Sequence, residues 1–557
     1  MATIDVNEIL RSSTSSFRQP AMKKPKLEDA PSFSAASNSA SANSLPSTMN
    51  STKEDILAAL ENDESSFVEV DDPHIRKLVV QLEKKMLKNR EMRVKNPDDP
   101  LKFLESEEEL DSAIQQMHCL SAETQMYGVF IEVNGHEILL QLLGHENSDI
   151  VCTTLNLLQE LTSTEQNQND LEPVEELVNV LGNGSIIETF LNCLGRLDET
   201  VKDEADGVHN ALSVVENMIE FREKETIEEC VRRGLMHWLL KRAGQKGIFD
   251  ANKLYASELL AVVLQISEEA KETLTETVDG IDVLLRAIAV YKKYDPESKD
   301  EREYMENLFD ALCAALMAPV NRKKFLDGEG LQLMNLMLRE KKQSRESALK
   351  VLDHATTGME GAENCNKLVE MLGLRTLFPL FMRTPSKVRR KDTTPDEHEE
   401  HVCAILASLL RSCEESARER IIQKFIEHEH EKVDRVVELF LKYKEKIQRF
   451  ELKKKRQNKD DNSSEDDPER EYLDKLENGL YTLQRVTLIL ADVCGSMNSA
   501  RLRAMKLFSM KLKNDRLDLL LCPVLQEYFE NLGDNAKMES ERVARLLSVV
   551  RSFANTK

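Results

Sequence analysis

Apolar residues recur at three- and four-residue intervals along nearly the whole chain, the period of a helix with one buried face. From residue 74, Ile75, Leu78, Val79, Leu82, Met86 and Leu87 draw one stripe and predict a helix. Asn96-Pro97-Asp98-Asp99-Pro100 breaks it, and a second helix is predicted through Phe103, Leu104, Leu110, Ile114 and Met117. A unit then repeats: a short helical stretch, a Gly, an apolar helix, a polar turn and a longer apolar helix. The glycines that mark it are Gly135, Gly184, Gly234, Gly280, Gly330 and Gly373, separated by 49, 50, 46, 50 and 43 residues.

That interval matches the armadillo and HEAT period with loop insertions. Each Gly follows a short helix, as after Ile227 to Arg233, where it is expected to take the left-handed conformation of a helix end. No single unit can bury its apolar surface, so neighbours must stack. The predicted fold is all-α: a right-handed armadillo/HEAT-type α-solenoid with atypical helical caps and a disordered N-terminal tail. The expected divisions are the tail at 1–55, an N-terminal cap at 56–133 and repeats at 134–440. A charged helix end with a flexible linker follows at 441–471, then a C-terminal helical cap at 472–557.

The tail is set apart by eight serines between Pro31 and Thr52 and by too few apolar residues for a core. Inside it Lys23, Lys24 and Lys26, held extended by Pro25, have the form of a basic nuclear-import signal. Residues 442–459 carry nine bases against two acids, and residues 460–471 seven acids against one base. We read these as the basic end of an exposed helix and a linker, with Ser463 and Ser464 among the acids.

Composition narrows the function. With 99 Asp and Glu against 75 Lys and Arg, the net charge of -24 disfavours direct nucleic-acid binding by the whole surface. Ten cysteines are scattered singly, as expected of reduced, buried thiols. No apolar run approaches the roughly 20 residues that span a bilayer, so no membrane association and a soluble intracellular protein are expected. Phosphate-binding glycine loops and the nucleophile elbow are missing. His398-Glu-Glu-His401 has its histidines three apart, whereas a zincin needs four, so no metal is expected there. The chain reads as a non-enzyme that needs no cofactor.

In a three-helix array the third helices line the concave face, about 10 Å apart. An extended ligand rises about 3.3 Å per residue, so each repeat addresses about three residues of a linear motif. The third helices offer Asn156 and Glu160, then Ser213, Asn217 and Glu220, then Glu258 and Gln265, at three-, four- or seven-residue spacings. Residues 198–230 hold eleven acids against three bases. Carboxylates and amides in such a groove select basic peptides.

Several strings resemble the beta-catenin-like family of armadillo proteins. They include Leu197-Asp-Glu-Thr-Val-Lys-Asp-Glu-Ala-Asp-Gly-Val-His-Asn, Phe249-Asp-Ala-Asn-Lys-Leu-Tyr, Ser347-Ala-Leu-Lys-Val-Leu-Asp-His-Ala, His398-Glu-Glu-His-Val-Cys and Glu431-Lys-Val-Asp-Arg. The resemblance implies a nuclear protein of the spliceosome, associated with the NineTeen complex. It implies recognition of the basic nuclear-localisation segments of splicing partners, self-association as a possible homodimer, and an importin for its own entry. Importin-type proteins carry Trp and Asn on successive third helices; here the single Trp, Trp238, falls in a second helix and only Asn217 matches the Asn position. A scaffold is therefore expected, with an importin-like transport adaptor as the alternative.

Overall fold

The computed structural model describes residues 71–164, 171–183, 186–276, 279–385, 394–460, 468–512, 516–533 and 536–555. Lys23, Lys24 and Lys26, the first residues of the expected cap (56–70), Gly184, the basic stretch 387–391, and Ser463 and Ser464 lie outside the described residues. Among the described residues every regular element is helical.

Helix α1 (Asp72–Lys95) starts where the Asp71 carboxylate accepts the His74 N–H at 2.9 Å, and it ends ahead of Pro97. Helix α2 (Leu104–Gln116) packs against it. Three-helix units follow: α3 (Tyr127–Glu132), α4 (Gly135–Leu142) and α5 (Ser148–Thr162); α6 (Glu172–Asn183), α7 (Ile186–Leu194) and α8 (Lys202–Phe221); α9 (Glu223–Arg233), α10 (Leu235–Ala243) and α11 (Ala251–Ile266). The next are α12 (Glu268–Glu276), α13 (Gly280–Ile288) and α14 (Lys299–Ala315); α15 (Pro319–Asp327), α16 (Gly330–Glu340) and α17 (Ser344–Thr356); α18 (Ala362–Glu370), α19 (Leu374–Met382) and α20 (Pro395–Ser412). Then come α21 (Glu415–Asp460), α22 (Pro468–Lys475), α23 (Tyr481–Ser496), α24 (Asn498–Leu512), α25 (Leu517–Glu530) and α26 (Lys537–Ser552). Helix α21 breaks at Glu427–His430, where three successive residues from His428 have positive φ.

The third helices stack in order, α2 on α5, then α8, α11, α14, α17, α20 and α23, over one apolar core that runs from Ile75 to Phe553. Several start at a polar cap: Asn147 for α5, Asp250 for α11, Ser298 for α14 and Thr394 for α20 each accept an N–H of the first turn. Helix α23, inside the expected C-terminal cap, continues the stack on α20.

The marker glycines act differently from expectation. Among the described marker glycines only Gly234 takes the left-handed turn, with φ +90°. At Gly135, Gly330 and Gly373 the preceding Asn134, Glu329 and Leu372 take it instead, with φ of 57°, 59° and 65°. What these glycines supply is room. A Cβ at Gly135 or Gly330 would run into the ring of Phe130 or Phe325, and one at Gly280 would lie 2.6 Å from Leu274 Cγ. The last residues of the short helix press on the start of the next, and only a hydrogen fits between them.

Behind that apolar packing, each junction of the stack is clasped by a polar pair. Thr153 donates to Asp111 at 2.8 Å, Asn210 to Asn156 at 3.4 Å, Tyr255 to Glu216, and Asn307 to Ser257 at 3.3 Å. Lys350 meets Asp310 at 2.8 Å, and Thr482 donates to Glu400 at 2.9 Å. Between α17 and α20 the clasp is double: His398 Nδ1 lies 2.8 Å from Glu346 and His401 Nδ1 3.0 Å from Asp353. Both histidines of the His-Glu-Glu-His string are thus engaged by carboxylates of the preceding third helix.

The basic stretch from 442 is also more enclosed than an exposed helix end. Lys442 bonds Asp396 at 2.6 Å and Glu399 at 2.7 Å, and Lys446 bonds Asp396 at 2.9 Å. Arg435 and Tyr443 reach the same Glu399 at 3.0 Å and 2.9 Å. Farther on, Lys454 pairs with Asp474 of α22 at 2.8 Å.

Candidate functional site

Helix α8 presents Asp206, His209, Asn210, Ser213, Glu216 and Glu220 at three- and four-residue steps, one line along the helix. On α11 the corresponding line holds Tyr255 and Glu258, and on α14 Glu303 and Asn307. The stack brings these lines side by side. At its centre the Tyr255 hydroxyl donates to Glu216, and the His209 ring lies 4.9 Å from the Tyr255 ring at a tilt of 50°. Ser213 hydrogen-bonds the same hydroxyl.

Glu258 is the unusual member. It is 7% exposed, and no hydrogen bond to it is found among the described residues. Burial first, then the charges of Glu216 and Glu303, push its carboxyl up to about 8, so it holds its proton at neutral pH. Burial and Glu216 also push the Tyr255 phenol far above its ordinary range. Glu303, by contrast, is exposed. Three carboxylates from three successive helices therefore form a row, open at Glu303 and closed at Glu216, with a proton serving as its counter-charge. A lysine or guanidinium group is the chemistry that would replace that proton.

The residues expected to line an open groove divide in their placement. Ser213 and Glu258 meet in this cluster, but at 5% and 7% exposure they are its interior and not its surface. Asn217 is fully buried one position around the helix, where its Nδ2 donates to Thr162 at 3.0 Å; it ties α8 to α5 and faces no solvent. The reason is enclosure: α11 is buried without a break from Asn252 to Leu264 because α8 and α14 flank it and α10 packs against it too. Helical period names a face, and the closeness of neighbours decides whether that face is open.

Glu160 remains half-buried and is held by His118 at 2.7 Å. Asn156 is half-buried against Asn210, Glu220 is exposed and accepts from Thr164 at 3.2 Å, and Gln265 is half-buried at the end of α11. Sequence reasoning did not single out Glu216, Tyr255 or Glu303. Glu216 and Glu303 had a signal in the sequence, since they continue the three- and four-residue steps from Ser213 and from Glu306. Trp238 sits in α10, off the third-helix row.

The sequence profile of the family described as "Catenin-beta-like, Arm-motif containing nuclear" matches residues 54–526. The chain belongs to the catenin-beta-like family. Among its catenin-beta-like relatives, beta-catenin-like protein 1 of Bos taurus is 46% identical over 496 residues, covering 87% of this chain and 86% of that protein. The Homo sapiens protein of the same name is 45% identical over 495 residues, with the same coverage. The beta-catenin-like protein 1 homolog of Schizosaccharomyces pombe is 33% identical over 474 residues, covering 84% of this chain and 80% of that one. A catenin-beta-like chain is an armadillo-type helical repeat protein, which is the architecture described above.

Proposed function

We propose that this chain is a nuclear scaffold of the pre-mRNA splicing machinery that holds basic, nuclear-localisation-type segments of NineTeen-complex proteins along its third-helix row. The observation that carries the reading is the carboxylate row Glu216, Glu258 and Glu303, which has a proton where a cation could sit. Its exposed end at Glu303 is where a lysine side chain would first meet it. Neighbouring acids and amides at Asp206, Asn156 and Glu220 offer further anchors, spaced for an extended peptide. A rigid solenoid has already borne the cost of ordering its own half of the interface, which leaves only the peptide to be ordered. Residence in a complex, and not carriage across the nuclear pore, is favoured because the third helices lack the tryptophans that would stack on lysine stems.

The test is fluorescence anisotropy with a labelled Lys/Arg-rich peptide and the full chain. Glu216→Gln combined with Glu303→Gln should weaken binding about tenfold, or about 1.4 kcal/mol, with unchanged helical content. Unchanged affinity would refute the site. Affinity purification from nuclear extract after ribonuclease, with identification of co-eluting splicing proteins, tests the setting separately.

A further inference from the structure

Three successive turns that lead from a unit's second helix to its third are tied together along one edge of the stack. The Tyr304 hydroxyl, at the start of α14, donates to the Ala243 carbonyl at the end of α10 at 2.6 Å. One unit on, the Ser344 hydroxyl at the start of α17 donates to the Tyr291 carbonyl at 2.9 Å, and the Gln343 N–H donates to Asp295 at 2.8 Å. The turns ahead of α11, α14 and α17 therefore lie side by side.

The charge of this edge runs against that of the chain. Residues 241–250, 286–298 and 338–343 hold nine bases against four acids, in a protein of net charge -24. Pairing sharpens the excess. Asp250 is held by Arg242 at 2.7 Å and Asp295 by Lys342 at 3.6 Å, while Arg286 is held by Asp282 at 2.8 Å. Among the described residues Lys241, Lys246, Lys292, Lys293, Arg339 and Lys341 have no ion-pair partner, against only Glu297 and Glu340 of the acids in these turns. The turn ahead of α8 is different: its base, Arg196, donates to the backbone carbonyls of Leu143 and His145, each at 3.0 Å, beside Asp198 and Glu199.

Apolar side chains stand among these bases and face solvent. Ile248 is 93% exposed, Tyr294 69% and Val290 58%. With helix rows about 10 Å apart, the three turns span about 20 Å, the reach of about six residues of extended chain.

We infer that this edge docks an extended acidic segment of another protein, its carboxylates meeting Lys246, Lys293 and Lys341 and its apolar side chains meeting Ile248 and Tyr294. Charge complementarity selects that occupant, and the exposed apolar groups add desolvation that a purely ionic contact lacks. A nucleic acid could offer phosphates to the same lysines, but a long polyanion also meets the repulsion of the remaining surface and leaves Ile248 without a partner. The edge takes ligands of the opposite sign to those proposed for the carboxylate row.

The test is selection from a displayed peptide library, run in parallel on the full chain and on the triple variant Lys246→Glu, Lys293→Glu, Lys341→Glu. Peptides enriched on the wild type and lost on the variant should be net acidic and carry leucine, isoleucine or an aromatic residue. By fluorescence anisotropy, the triple variant should bind such a peptide at least about tenfold more weakly. Ile248→Ser with Tyr294→Ser should weaken it about tenfold. All five sites are exposed, so the far-ultraviolet circular dichroism and the binding of a Lys/Arg-rich peptide should stay as in the wild type. Failure to enrich acidic peptides, equal binding to the triple variant, no loss on the apolar change, or tighter binding of a single-stranded polyuridine RNA than of the acidic peptide would each overturn the inference.

Discussion

The α8–α11 and α17–α20 junctions occupy equivalent places in the stack and handle buried carboxylates in opposite ways. Between α17 and α20, Glu346 and Asp353 each meet an imidazole, and His354 beside them is kept neutral by burial and by Lys350, which hold its proton affinity well below the ordinary histidine value. Between α8 and α11, Glu216 accepts from the Tyr255 hydroxyl, while buried Glu258 lies under the charges of Glu216 and Glu303. One junction is complete as it stands. The other gathers three carboxyl groups from three helices, which is why the proposed binding site is placed there and not along the whole row.

The largest test of this contrast is at the completed junction. His398→Ala leaves the buried Glu346 carboxylate without its partner and should cost about 3 kcal/mol, read as a shift in the denaturant midpoint. A double change with Glu346→Gln should recover most of it. If the single change costs nothing, the clasp is not what holds the two helices.

Glu258→Gln should act in the opposite direction. The folded-state value of Glu258 is raised from 4.5 to about 8. The stability it contributes in its protonated form is therefore fully present below about pH 4.5 and is lost as the pH rises through 8. Glutamine has no such dependence, so the variant should be more stable than the wild type by about 1–3 kcal/mol at pH 9 and equal to it near pH 4. Thermal unfolding at both pH values reads the difference, and a constant offset would place the raised carboxyl elsewhere.

The same proton predicts that binding a basic peptide is linked to pH. Affinity should rise by up to about tenfold per unit between pH 6 and 8 as the proton ceases to compete, and Glu258→Gln should remove most of that slope. A flat profile in the wild type would mean that the ligand never reaches the closed end of the row. Smallest of all, Tyr255→Phe should cost about 1 kcal/mol of stability, because it removes one hydroxyl, the one that bonds Glu216 and Ser213.

Much of the architecture was legible in the chain. The Gly135, Gly234 and Gly330 units mark helix boundaries by local chemistry, and local chemistry is what a sequence displays. The role of the glycines was misread because the collision of a Cβ with Phe130 or Phe325 exists only once two helices are folded against each other. Asn217 was placed in the groove on the strength of its spacing, yet it lies on the buried side by one residue, about 100° of helix. Glu160 carried no hint of His118, which is 42 residues earlier in the chain. Contacts that depend on the stacking of units are absent from any single unit's sequence.

The clasps have a bearing on how the chain reaches this state at all. Repeats with similar apolar surfaces can dock on the wrong neighbour during folding, a standing hazard of repeat proteins. Here the couplings differ from one step to the next: a threonine with an aspartate, two asparagines, a tyrosine with a glutamate, a lysine with an aspartate, then paired imidazoles. A unit docked out of turn would bury Asp310 against something other than Lys350, or His398 away from Glu346, and bear the penalty of an unmatched polar group. The polar pairs work as a sequence of differently cut keys, and the order of the units along the solenoid is written in them.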